Sequence, residues 1–372
     1  MSAESSAIEN VISTSATKDF ARGLPAPLTS PRTVFTLYGR NALFIGLRAI
    51  ASRTARRTVL LPSLMCGVEA EVSVAAGFAV RLYPVDPRTL QVSAKWIRAT
   101  MTEDTAAIIV THYFGFPSDV ASEIGENNAS ADVFLIEDCA HALGSRYAGR
   151  ALGTFGTLAF FSLRKSIPLP HGGALVVNDP EVPLPEVKQP SGAAVNFDAL
   201  VYFYQQCGLS APLTTIDEIY KTLGRQVDRF GARLPEDGGY ELGLSLLAQV
   251  LIQSIDVQSH LSARRTLFRR YGDYFRQRRP ALVRALYLEC PDDVSPPFFP
   301  LVFALGSKRG YDMVAAKGYH APIPFWSLVQ DRPGSPYPEV ARLREQLMVL
   351  PLIDPLTEAD LDGAIRVLEE SS

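Results

Sequence analysis

The sequence predicts an α/β fold built on a mostly parallel sheet. Continuous apolar runs at Val59–Leu61, Ala106–Val110 and Val133–Ile136 alternate with segments of helical periodicity. That is the pattern of strands buried on both faces and covered by helices. Polar residues gather just past the strand ends, at Ser63, His112 and Asp138. In open α/β sheets, ligands sit outside the carboxyl ends of the strands. A chain of 372 residues is long enough for one large domain and a smaller one, each with a core of its own.

Composition narrows the function classes. The chain is 47% hydrophobic and 20% charged, with a net charge of −3, so nucleic acid is not expected as its main partner. The arginines between Arg264 and Arg279 read as the polar face of a helix. Cys66, Cys139, Cys207 and Cys290 are scattered without a CxxC pair or accompanying histidine spacing. Neither a disulfide framework nor a metal site is expected, and the compartment is expected to be reducing. The N-terminus has no apolar core of a secretory signal and no run approaches a membrane span, so the expected location is cytoplasmic.

Residues 1–30 are rich in Ser and Ala, then Pro, and read as a flexible tail. After Leu37-Tyr38-Gly39-Arg40-Asn41 comes a helix apolar nearly all round, with Asn41 as a candidate cap. Its glycine-preceded N-terminus is either a plain capped core helix or an anion site. Then follow a strand to Pro62, a helix over 69–76, a strand over 79–83, a helix over 94–101, a strand over 106–110, a helix over 118–125 and a strand ending in Glu137-Asp138. Tyr147–Phe155 is Gly-punctuated and hairpin-like. Phe160–Ser162 and Ala174–Val177 are apolar runs flanking Arg164, Lys165 and a Pro-rich loop. Further helices are expected at 200–207, 213–223, 246–255, 261–275, 308–317, 338–347 and 358–369, a loop at 228–239 and a strand at 298–303. The domains are expected at 31–244 (large) and 245–372 (small α+β).

Lys165 lies between two apolar runs. It is either a strand-end lysine reaching solvent or a desolvated amine able to form a Schiff base. Asp138 at a strand end and His141 three residues later complete a set that pyridoxal phosphate chemistry needs. A lysine holds the aldehyde, a carboxylate keeps the pyridine nitrogen protonated, and backbone N–H groups and hydroxyls hold the phosphate. Gly39–Asn41 and Ser162 are candidates for that last role. A core carboxylate and a surface lysine would give the same spacing.

Several segments, in order, resemble the DegT/StrS group of pyridoxal-phosphate aminotransferases. Ile136-Glu137-Asp138-Cys139-Ala140-His141-Ala142-Leu143-Gly144 resembles its (V/I)EDAAxAxG segment. Tyr147–Arg150 with Leu152–Gly156 resembles the Y-K-G…GSFG continuation, and Lys165 followed by Gly172-Gly173 resembles K…EGG. Leu60–Ser63, His112–Gly115 and Gly39–Leu43 resemble PSFT, HLYG and GxxAL, and the likeness extends to Leu350-Pro351.

The resemblance implies transferase fold type I: a large domain with a mostly parallel, seven-stranded sheet, a small α+β domain, and a homodimer sharing active sites. It implies Lys165 as the Schiff-base lysine. Asp138, His141, Ser162, Gly39, Arg40, Asn41 and Cys66 are then the pyridoxal 5'-phosphate residues. It further implies ping-pong amino transfer from glutamate or another amino acid to a nucleotide-linked keto sugar, in sugar or natural-product biosynthesis. His112, Tyr113, Trp326 and Tyr240 are substrate candidates, each with a packing role as the alternative.

The chain also departs from the pattern. Ser162 is only three residues before Lys165, Met65-Cys66 replaces an aromatic residue, His171 replaces the Glu of EGG, and Gly239–Gly243 has neither Asn nor Arg. A non-sugar ketone or amino-cyclitol as substrate therefore stays open, as does a non-catalytic regulator retaining the fold. The dehydratase branch of this family has His at the lysine position.

Overall fold

A computed structural model describes residues 16–127, 133–190, 239–326, 336–352 and 356–370. The helices expected at 200–207 and 213–223, most of the loop at 228–239, and Cys207 lie outside the described residues. The large sheet contains β1 (Thr33–Thr36), β2 (Thr58–Pro62), β3 (Ala79–Tyr83), β4 (Thr105–Thr111), β5 (Phe134–Asp138), β8 (Leu158–Ser162) and β9 (Gly173–Val177). The short pair β6 (Arg146–Tyr147) and β7 (Arg150–Ala151) forms the expected hairpin. The order β1-β9-β8-β5-β4-β2-β3 is parallel throughout except at β9. The expected fold class is present.

Side-chain alternation explains the continuous apolar runs. Along β4, Ala107 and Ile109 enter one core, whereas Ile108 and Val110 enter the other. Helices α1 (Gly39–Ala51) and α2 (Val68–Ala75) supply Leu43, Leu47 and Val72 to the first; α3 (Ala94–Thr100) and α4 (Val120–Asn127) supply Ile97 and Ala121 to the second. With both faces covered, every β4 residue is buried. The C-terminal part forms a four-stranded antiparallel sheet from β10 (Val283–Ala285), β11 (Phe298–Phe303), β12 (Ile323–Pro324) and β13 (Leu347–Pro351). Around it lie α6 (Val257–Arg278), α7 (Ser307–Ala316), α8 (Pro338–Gln346) and α9 (Glu358–Glu369). Helix α5 (Leu246–Ser254) places Ala248 and Ile252 in one core with Ala159, Phe161 and Ala174 of the large sheet.

Two local expectations change. Residues 16–30 are not wholly tail-like: Ala16–Gly23 is a 3-10 helix, and Phe20, Ala21, Leu24 and Leu28 enter the core beside α5. Those apolar residues are dispersed among small and polar ones, so composition hides them. Asn41 is not the cap of α1. Tyr38 holds that position without a side-chain hydrogen bond, and Asn41 lies one turn in, its Nδ2 donating to the Tyr240 carbonyl at 2.9 Å.

Close backbone approach positions the start of α1. A Cβ on Gly173 would fall 2.2 Å from the Tyr38 carbonyl carbon. A Cβ on Gly39 would fall 3.0 Å from the Phe161 carbonyl oxygen and 3.4 Å from Ser162 Cβ. Only hydrogen fits at these two positions, so the N-terminus of α1 sits directly against the carboxyl end of β8.

Candidate functional site

Strand β5 is the middle strand of the seven, and its last two residues point to opposite sides. Glu137 turns into a fully buried polar knot. It accepts from the backbone N–H groups of Gly153, Phe155 and Gly156 at 2.7–2.8 Å. His112 Nδ1 accepts from Ser118 N–H at 3.0 Å, so its Nε2–H donates to Glu137 at 3.1 Å. Every acceptor site of Glu137 is thus engaged. His112, expected as a substrate residue, is corrected to a structural one: it is wholly buried and both ring nitrogens are committed. Cys139 completes a close trio with His112 and Glu137, in which the histidine nitrogens and the carboxylate oxygens are already engaged by hydrogen bonds. Replacing Glu137 with Ala would strand three buried N–H donors and the histidine. The expected loss is about 3–5 kcal/mol, read by urea unfolding, with Glu137→Gln losing less. An unchanged unfolding midpoint would show that the knot is not structural.

Asp138 turns the other way. Its Oδ1 accepts from Ala140 N–H at 3.0 Å and its Oδ2 from Thr111 Oγ at 3.1 Å. Thr111 is its register partner on β4. Burial, and next the nearby Glu69 carboxylate, push the Asp138 pKa up to about 6, while Ala140 N–H, Lys165 and Thr111 pull it down. Lys165 closes a 3-10 turn, Leu163–Lys165, between β8 and β9. Leu163 and Ile167 anchor the turn in the core, and Leu163 N–H donates to the Gly172 carbonyl at 2.9 Å. From there Lys165 Nζ lies 3.2 Å from His141 Nε2.

His141 is buried, and its pKa is held well below the usual value, first by desolvation and then by Lys165. Its imidazole is therefore neutral. Phe114 N–H donates to Nδ1 at 3.4 Å. Nε2 is thus the ring nitrogen that faces Lys165 Nζ. Aromatic rings enclose the imidazole. Phe114 stacks at 5.6 Å and Trp326 at 5.7 Å, and Phe325 tilts at 5.5 Å. The approach of Phe114 depends on a sharp turn, with Phe114 at φ 54° and Gly115 at φ 85°. A Cβ on Gly115 would meet the Ser295 and His141 carbonyls within 2.9 Å.

The structure brings Asp138, His141, Lys165 and Trp326 together, with Cys66 alongside. The Cys66 thiol donates to the Glu69 carboxylate at 3.1–3.3 Å. Burial and Glu69 raise its pKa well above normal, so it is no ready nucleophile. Gly39, Arg40, Asn41 and Ser162 meet where α1 abuts β8. Tyr113 lies edge-on to Trp326 at 6.1 Å, but it is buried and its hydroxyl donates to the Leu64 carbonyl at 2.5 Å. Tyr240 stacks on Phe44 of α1 at 4.4 Å, away from the imidazole cluster.

Sequence reasoning missed Glu69, Thr111, Phe114 and Phe325. Thr111 had a usable signal, as the last residue of the strand beside Asp138. Glu69 had none, because an acid in a first helical turn ordinarily complements the helix dipole.

Comparison with known proteins follows the same lines. Residues 4–185 match the family model of the DegT/DnrJ/EryC1/StrS aminotransferase family. The chain is 34% identical over 143 residues to GDP-perosamine synthase of Escherichia coli O157:H7, which is 38% of this chain and 39% of that one. It is 33% identical over 144 residues to Protein MosB of Rhizobium meliloti, which is 38% of this chain and 28% of that one. The matched stretch thus spans well under half of either relative. Among solved structures, the aminotransferase TlmJ from Streptoalloteichus hindustanus superposes with TM-score 0.66 at 21% identity, covering 100% of this chain and 96% of that one. The sugar aminotransferase CalS13 from Micromonospora echinospora gives 0.61 at 18%, covering 100% and 98%. The E. coli GDP-4-keto-6-deoxy-D-mannose-3-dehydratase gives 0.63 at 16%, covering 98% and 95%. At these identities the structural likeness speaks for the fold.

Proposed function

From the match of residues 4–185 to the model of the DegT/DnrJ/EryC1/StrS aminotransferase family, we propose that the protein is a pyridoxal 5'-phosphate-dependent aminotransferase acting on a nucleotide-linked keto sugar. The observation that carries the reading is the grouping of buried Asp138 and His141 with half-buried Lys165 at the carboxyl end of the middle strands. The residues fit the cofactor. A buried carboxylate with its pKa pushed up to about 6 calls for a cationic partner, which a protonated pyridine nitrogen supplies. The N-terminal turn of α1 and Ser162 offer donors for a phosphate. When bound, the cofactor supplies an electron sink for the bonds at the substrate's amino-bearing carbon.

The chain's own residues divide the work. Lys165 Nζ is the amine that carries the cofactor and afterwards moves the proton. Asp138 keeps the pyridine nitrogen protonated. Neutral His141 orients Lys165 through Nε2, with the rings of Phe114 and Trp326 stacked against it. The rings of Phe114, Phe325 and Trp326 exclude water from that side. Lys165 stands where a dehydratase of this family has His, which favours amino transfer. The cycle is read as ping-pong, an amino acid such as glutamate loading the site before the keto sugar unloads it. The reading includes a homodimer. Among the described residues no helix is long and apolar enough to cross a membrane. The thiol at Cys66, in place of an aromatic ring, favours a second reading in which the acceptor is a non-sugar ketone or an amino-cyclitol.

The test is a two-stage assay. Protein loaded with pyridoxal 5'-phosphate is given L-glutamate, then GDP-4-keto-6-deoxy-D-mannose. Release of 2-oxoglutarate in the first stage and an aminated nucleotide sugar in the second are expected. Release without sugar amination would move the substrate to the second reading. No keto acid from any amino acid donor would sink the aminotransferase reading.

A further inference from the structure

Resting on the keto-sugar reading above, we propose that Phe298 and Trp326 form an aromatic wall on which the hexose ring of the acceptor stacks. Both rings lie beside the imidazole that touches the carrier amine. Trp326 stacks on His141 at 5.7 Å, Phe298 meets it edge-on at 6.1 Å, and His141 Nε2 is 3.2 Å from Lys165 Nζ. Phe325 lies against both, at 4.7 Å from Trp326 and 5.4 Å from Phe298. The two rings come from separate strands of the C-terminal sheet. Phe298 opens β11, and Trp326 follows the end of β12.

Exposure separates these two rings from their neighbours. Phe114 and Phe325 are buried within one apolar cluster. Phe298 and Trp326 pack against that same cluster and stay half-buried. Two large rings are thus left incompletely covered, one imidazole away from the reacting amine. The backbone of Trp326 adds a second observation. Its φ of 59° lies in the left-handed region, where a bulky residue is a true outlier. Strained residues of this kind cluster at active sites and ligand clamps. A ring held at that cost, yet left half-buried, is explained by what it meets when substrate arrives. Its indole N–H also has no acceptor among the described residues.

A hexose ring suits this wall. A sugar carries hydroxyls around its edge and C–H groups on its faces. A face can lie flat on an aromatic ring, its C–H groups meeting the electron-rich π surface. The indole N–H can donate to a sugar oxygen and fix the ring's orientation. Ligand pockets combine aromatic walls with a few polar groups in this way. Selectivity follows from the same contact: an acceptor with a flat C–H face gains it, and a small open-chain ketone does not.

The chain has two tryptophans, so Trp96→Phe leaves Trp326 as the sole indole reporter. This protein, loaded with pyridoxal 5'-phosphate, is titrated with GDP-mannose, which has no keto group to react, and separately with GDP. GDP-mannose is expected to change the Trp326 emission and to bind more tightly than GDP. By calorimetry, Trp326→Ala and Phe298→Ala should each weaken GDP-mannose roughly tenfold and GDP far less. Trp326→Phe, which keeps a ring, should recover most of the loss. Phe298→Leu fills the space without a flat ring and should also lose affinity, so it decides the matter where an Ala variant fails to fold. GDP-mannose bound without a change in emission, or with unaltered affinity in Trp326→Ala and Phe298→Leu, overturns the wall. So does an equal loss for GDP and GDP-mannose, which would mark a structural effect or a stacked base. Binding of neither ligand by the unaltered chain, tested likewise with UDP-glucose and dTDP-glucose, would overturn the nucleotide-sugar reading and the wall together.

Discussion

Lys165→Ala is expected to abolish covalent retention of pyridoxal 5'-phosphate and to lower turnover at least ~10³-fold. The placement of the amine is the reason. Lys165 ends a turn whose neighbours Leu163 and Ile167 are locked in the core, while its own side chain leaves that core toward His141 Nε2. Removing it deletes one amine without opening a cavity, so the fold should persist and the loss should be chemical. Borohydride treatment followed by peptide mass analysis reads the result. In the unaltered chain the cofactor's mass should stay on the peptide containing Lys165, and in the variant on none. An adduct that survives in Lys165→Ala, at whatever residue, would show that another amine does this work. His141→Ala separates carrying from orienting. It should keep the adduct but slow turnover, because the neutral imidazole touches Lys165 through a single hydrogen bond.

The large sheet is legible in the sequence because its strands are buried on both faces, so they appear as short apolar runs such as Ala106–Val110 alternating with helical segments. Strands β1, β10, β12 and β13 leave weaker marks. They are short or antiparallel, and remote partners set their registers: Thr33–Thr36 pairs with Gly173–Val176, far along the chain. Strand-end logic points to Asp138 and His141, which the structure sets beside Lys165. The same logic misplaced His112, because a polar residue at a strand end can turn either way, and this one turns toward Glu137. The sequence shows Glu137 and Asp138 as one acidic pair, yet the period of two sends one to a structural knot and the other to the site. Trp326 reaches the imidazole from a distant loop.

Asp138→Asn should have opposite effects on stability and activity. In the cofactor-free protein, burial and Glu69 raise the Asp138 pKa to about 6, above the ordinary carboxyl value of 3.8. The folded state therefore holds this proton more tightly than the unfolded state does. Stability falls as pH rises through the window from about 4 to about 6, and the full penalty persists above it. Asn has no charge to bury, and it can still accept from Ala140 N–H and donate to Thr111 Oγ. At pH 7.5 the cofactor-free variant should be more stable than the unaltered chain by on the order of 1–3 kcal/mol. Below about pH 4 the advantage should vanish, because both folded and unfolded carboxyls are then protonated. Thermal melts across pH 3–8 would show it, and a variant that melts lower at neutral pH would refute the assignment of Asp138 as a strained, ionised carboxylate. Activity should move the other way. If Asp138 faces the pyridine nitrogen, losing the anion removes a buried ion pair worth about 3–5 kcal/mol, which is roughly 10²–10⁴-fold in turnover. Adding pyridoxal 5'-phosphate should then raise the melting temperature of the unaltered chain more than that of Asp138→Asn, since only the carboxylate gains a cationic partner. The charge that weakens the empty fold is the one the bound cofactor requires.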